Sequence, residues 1–98
     1  MVYTIEEIKD RLFSIFQASK VYKVTLFGSY ARGTATESSD IDLVIESKGE
    51  LRGLQFYAIL DDVVAALDKN VDMFDVSEIQ NSEILNDIKN RGVILYER

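Results

Sequence analysis

Residues 27–44 read FGSYARGTATESSDIDLV, and the fold turns on how that stretch divides. It begins where an apolar run, VYKVTLF over residues 21–27, ends. The β-branched and aromatic residues of that run predict a strand that stops at Gly28. Residues 29–32 predict a short helical turn, and residues 33–39 (GTATESS) a polar loop. A second strand follows over residues 40–45 (DIDLVI), opened by two carboxylates, the first of them eleven positions after Ser29. Gly-Ser pairs and Asp-x-Asp triplets are each common in surface loops. Their arrangement, a Gly-Ser turn leaving one apolar strand and an acidic pair entering the next, is much less so.

Side chains alternate faces along a strand, so Asp40 and Asp42 project to one side while Ile41 and Leu43 project to the other. Two neighbouring carboxylates repel, and burying them unpaired is costly. A divalent cation resolves both problems, and oxygen-only ligation completed by water and phosphate suits Mg²⁺, with Mn²⁺ as a substitute. Gly28 has no Cβ and lets a phosphate approach the main chain, while the amides that open the Ser29 turn, together with its hydroxyl, are anion donors. A triphosphate fits between that turn and the metal-loaded carboxylates. Arg32 either contacts phosphate or pairs with an acid such as Glu37. Ser39 reads as support for the loop before Asp40.

Outward from this stretch, residues 4–18 predict a helix, with Thr4 and Glu7 forming a capping box and Ile5, Ile8, Leu12, Ile15 and Phe16 one apolar stripe. After a turn at residues 47–50, residues 51–67 repeat Phe56, Ile59, Leu60, Val63, Val64 and Leu67 at helical spacing. That stripe reads as core first and interface second, so a homo-oligomer or a hetero-oligomer is compatible with it. Tyr57 reads as a packing residue beside the stripe. Residues 70–76 (NVDMFDV) predict a third strand. Residues 81–91 predict a last helix with Ile84, Leu85 and Ile88 inward and Gly92 as its C-cap, and residues 93–96 a last strand. In the third strand Val71 and Met73 share the helix-covered face, which puts Asp72 on the open face with Asp40 and Asp42. Asp72 is the candidate third metal ligand and the acceptor of a proton from an attacking hydroxyl. Asp75 falls on the covered side and reads as a cap for the next segment. Helix and strand in alternation, with short connections, predict a two-layer α+β fold. It is a mixed sheet of about four strands with helices mainly on one face, and residues 1–98 form a single domain.

Composition narrows the chemistry. The chain has no Cys, so it has no disulfide framework and no thiol catalysis. It has no His, which removes Ser-His-Asp schemes and the usual zinc sites. A net charge of −6 argues against stable nucleic-acid binding, which depends on Lys and Arg neutralising phosphates. There is no secretion signal and no apolar run near the ~20 residues a membrane helix needs, so the expectation is a cytoplasmic protein.

Gly28-Ser29, Ala31-Arg32-Gly33, Ser39-Asp40-Ile41-Asp42-Leu43 and Val71-Asp72 resemble the signature of minimal nucleotidyltransferases of the DNA polymerase β-like superfamily. The resemblance runs from about residue 21 to the C-terminus. It implies the polymerase β-like palm fold, a nucleoside triphosphate, ATP in the adenylating members, as donor, and two Mg²⁺ ions as cofactor. It also implies that Asp40, Asp42 and Asp72 are the catalytic metal ligands, and that Gly28 and Ser29 hold the β- and γ-phosphates. Tyr30 stands where many relatives carry Arg. Family members of this size resemble the antitoxin of a two-gene pair whose toxin is a helical HEPN protein, and some attach AMP to a Tyr of that partner. The competing expectation is an antitoxin that neutralises its partner by contact alone.

Overall fold

The computed structural model describes residues 2–98. Helix α1 (Ile5–Gln17) begins at the expected capping box: the Glu7 amide donates to the Thr4 hydroxyl at 3.1 Å, and the Thr4 amide donates to the Glu7 carboxylate at 2.9 Å. The last turn of α1 holds no basic residue to cover its terminal carbonyls. Arg98 does so from the other end of the chain, its guanidinium donating to the Phe16, Gln17 and Ser19 carbonyls.

Four strands, β1 (Lys23–Phe27), β2 (Ile41–Glu46), β3 (Val71–Asp75) and β4 (Val93–Glu97), form one mixed sheet in the order β3-β2-β1-β4. β1 pairs antiparallel with both β2 and β4, while β2 and β3 run parallel. Parallel neighbours need a crossover, and the 14-residue helix α3 (Leu54–Leu67) is that crossover. It packs with α1 over the face that carries Val24, Leu26, Ile41, Leu43 and Ile45, all fully buried. α3 starts three residues later than its apolar spacing predicts, because residues 51–53 complete the turn out of β2 and Gly53 takes a positive φ of 55° just before it.

The second face is not wholly open. Helix α4 (Ser82–Arg91) packs Ile88 near Thr25 and Val44, which are buried there. Helices therefore sit mainly, but not only, on one face. Of the three α4 residues expected inward, Ile88 is buried, Leu85 is half-buried and Ile84 remains 48% exposed. Gly92 ends α4, but not in the left-handed conformation of a usual glycine cap; its φ is −71°. A Cβ there would overlap the Ile88 carbonyl and the Thr25 methyl, so close packing of α4 onto β1 demands the glycine.

Candidate active site

Between β1 and β2 the chain makes α2 (Gly28–Arg32), a single helical turn closed by Gly33 at φ 78°. β1 and β2 pair so that Phe27 lies opposite Asp42, and the parallel register sets Asp42 beside Asp72. One row across the open face therefore reads Phe27, Asp42, Asp72. The next reads Thr25, Val44, Phe74, with the Phe27 and Phe74 rings 6.4 Å apart. Asp72 points to the open face as alternation requires: Met73 and Asp75 are buried, while Asp72 and Phe74 are exposed.

The electrostatics show how closely the carboxylates meet. The Asp42 pKa is pushed up to about 6, first by burial, then by the Asp72 charge and hydrogen bonding with Asp72, then by the Asp40 charge. Arg32 pulls it the other way, which places that cation near the same site. Gly28 lies against this pair. Its φ is 72°, and a Cβ there would overlap Asp42 Oδ2 and lie 3.1 Å from Asp42 Cγ. Gly28 is thus required twice, by backbone conformation and by the carboxylate it packs on. Phe27 offers no side-chain cap to the first turn of α2.

Asp40 departs from its expected position. β2 begins at Ile41, so Asp40 lies one residue outside the strand, exposed and bordering a shallow cavity with Ser38, Ser39, Lys69 and Asn70. Among the described residues no group of three or more acidic side chains stands ready to hold a metal ion. The structure brings Asp42 and Asp72 together and leaves Asp40 a step away, near enough to act on Asp42 by charge. The donor set still fits a hard divalent cation: it is all oxygen, and two of its members repel each other in a way a cation relieves.

Asp75 does not join this group. Its carboxylate accepts hydrogen bonds from the Ser47 hydroxyl at 2.8 Å, the Ser77 hydroxyl at 2.8 Å and the Ser77 amide at 3.0 Å. Burial raises its pKa, but these donors together outweigh burial and hold it below the usual carboxylate value. It caps the 3₁₀ turn Val76–Glu78, the role its place in the sequence suggests. Ser39 also behaves as expected, accepting the Thr36 amide at 2.8 Å.

Sequence reasoning missed two features here. Lys69 donates to the Glu37 carbonyl at 3.0 Å and stands 6.0 Å from the Tyr30 ring, so it ties the loop before Asp40 to the end of α3. Tyr30 is itself buried, and its hydroxyl is the one buried side-chain polar atom without a partner among the described residues. Both contacts span more than thirty positions, so no local pattern carries them.

Comparison with known proteins agrees with this geometry. The family model described as polymerase β, nucleotidyltransferase matches residues 8–98. An inferred protein adenylyltransferase of Methanocaldococcus jannaschii is 36% identical over 90 residues, covering 88% of this chain and 92% of that protein. Among solved structures, a toxin–antitoxin complex with AMP-PNP superposes with a TM-score of 0.76 at 23% identity, over 92% of this chain and 73% of that one. A tri-AMPylated Shewanella oneidensis HEPN toxin in complex with its MNT antitoxin gives 0.69 at 19% identity, over 96% and 73%. At these identities the two complexes speak for the fold alone. The match to the family model spans the whole site, from the Gly28 turn to Asp72, and the chain belongs to the polymerase β nucleotidyltransferase family.

Proposed function

We propose that residues 1–98 work as a single nucleotidyltransferase domain that moves AMP from ATP onto a tyrosine of a HEPN-type toxin partner, and so serve as its antitoxin in the cytoplasm. The observation that carries this reading is the Asp42–Asp72 pair, set in register on the open face with Gly28 packed against it. The relative in Methanocaldococcus jannaschii bears the name of this activity, and the Shewanella oneidensis toxin carries AMP groups in complex with its antitoxin.

The chain's own groups divide the work. The Gly28 main chain, the Ser29 amide and hydroxyl, and Arg32 hold the triphosphate. Asp40, Asp42 and Asp72 are the residues that would hold two Mg²⁺ ions. When bound, the metal neutralises the phosphate charge and lowers the pKa of the attacking hydroxyl. The tyrosine oxygen bonds to the α-phosphorus, the bond from that phosphorus to the bridging oxygen of pyrophosphate breaks, and the hydroxyl proton passes to Asp72. Asp72 lies exposed on the open face of the sheet rather than inside an enclosed pocket, so the partner itself positions the hydroxyl.

The test is to incubate the product of the neighbouring gene with ATP, Mg²⁺ and either wild type or Asp42→Asn, then read intact mass and toxicity. Added AMP and lost toxicity with wild type alone are expected. Equal neutralisation by Asp42→Asn without added mass would make the chain a contact antitoxin instead.

A further inference from the structure

The strand order gives the carboxylates two separate approaches. Gly28 and Ser29 lie on the β1 side of Asp42. Asp72 lies on its other side, on β3, which among the described residues is the outermost strand and leaves its far edge unpaired. A groove of about 870 Å³ runs there, walled by Val71–Asp75 on one side and by Phe56, Tyr57 and Leu60 of α3 on the other. Side chains of a strand alternate between faces, so five consecutive residues on one wall mean that the groove follows the main-chain edge rather than either face.

That edge is left with hydrogen-bonding groups. The Ile41 amide donates to the Asn70 carbonyl at 3.1 Å, which turns the main chain of Asn70 toward β2. By alternation the main chains of Asp72 and Phe74 turn the same way, and those of Val71 and Met73 face the groove. Tyr57 is 60% exposed and Phe74 43%, so aromatic surface waits beside them in water. The groove's charged residues are acidic, Asp72, Asp75 and Glu78, with Arg52 the exception.

We infer that this groove is the acceptor subsite, and that its occupant is an extended, basic segment of the partner protein which adds a strand to the edge of β3 and presents its hydroxyl at Asp72. The inference rests on the transferase reading above and names how the acceptor arrives. A row of N–H and C=O groups at strand spacing is matched by another main chain, not by a nucleotide, and the aromatic wall takes alternate side chains of such a segment. Acidic walls on a chain of net charge −6 suit Lys and Arg flanking the hydroxyl. Donor and acceptor then meet from opposite sides of the carboxylates, as in-line displacement requires.

The experiment follows amide exchange and chemical shifts of the ¹⁵N-labelled full chain. The two probes are ATP with Mg²⁺ and a synthetic peptide of alternating valine and lysine around one tyrosine, at millimolar concentration. Slowed exchange at the Val71 and Met73 amides, with Asp72 and Phe74 unchanged because β2 already pairs them, is the expected result. Tyr57→Ser should weaken the peptide about tenfold and leave the response of Ser29 to ATP intact, while Phe13→Ser, on an exposed face of α1, should change neither. No effect of the peptide at Val71 and Met73 overturns the proposal, as does ATP alone filling the groove and excluding the peptide. A peptide response without any ATP response at Ser29 would sink the donor-site reading and leave the groove standing.

Discussion

Gly28→Ala isolates the contact on which the site is built. At φ 72° any residue with a Cβ pays the left-handed penalty of about 1–2 kcal/mol. The new methyl would also occupy the space of Asp42 Oδ2, with Asp42 Cγ 3.1 Å and Cβ 3.4 Å away. The carboxylate must therefore rotate off its preferred position, a further cost of about 1 kcal/mol. For a chain of this length the unfolding entropy is about 0.2 kcal/mol per kelvin, so the combined loss of about 2–3 kcal/mol lowers Tm by about 10–15 °C. Asp42→Ala in the same background removes the obstructing atoms, and only the backbone penalty should persist. A double-mutant cycle by urea and thermal denaturation then yields a coupling of about 1 kcal/mol. A Tm within 2 °C of wild type, or strictly additive single effects, would show that Gly28 and Asp42 are not in contact and would undo the site geometry.

Three further outcomes are expected. The folded protein holds the Asp42 proton more tightly than the unfolded chain, with a pKa of about 6 against 3.8, so without metal this group favours folding most at low pH and penalises it as pH rises through about 6. Because Asp42 is only half-buried the effect is about 1 kcal/mol after solvent screening; Asp42→Asn should flatten that slope in melts from pH 4 to 8, and a lower Tm for the variant at neutral pH would contradict the repulsion. Asp75 has the opposite sign: its pKa is lowered, so its stabilisation is present above the usual carboxylate range and is lost as pH falls. Asp75→Asn should cost about 1–3 kcal/mol in urea unfolding yet leave nucleotide binding unchanged, whereas Asp72→Asn should do the reverse. Tyr30→Phe deletes a buried hydroxyl without a partner among the described residues, and calorimetry should find it neutral or stabilising by up to about 1 kcal/mol; a clear loss would mean that the hydroxyl holds a water or ligand that matters.

Much of the site was legible because its signals are local. The capping box at Thr4 and Glu7 spans one turn, and the open-face placement of Asp42 and Asp72 follows from the period of two along each strand. The separation of Asp72 from Asp75, two carboxylates three positions apart with different roles, came from the same alternation. The start of β2 was placed one residue early, at Asp40, since hydrogen bonding with Asn70 starts the strand at Ile41 and strand ends answer to their neighbours. Tyr57 and Ile84 were expected to pack and are instead exposed, because helical spacing gives the direction of a stripe but not how far its partner surface extends.

What the sequence by itself determined is the set of elements, the faces their polar residues take and the chemistry that oxygen ligands without His or Cys can perform. Only the tertiary structure decided that β2 and β3 lie side by side in parallel, with Asp42 registered on Asp72, and that β3 ends the sheet with an edge to spare. It also decided that α4 returns over the second face and that Gly92 is demanded by packing rather than by its own φ. The physical reason is range. Alternation, capping and helical period act within a few residues and are written in the order of the side chains. Strand order depends on which surfaces a crossover such as α3 can bury, a choice made among groups thirty or more positions apart.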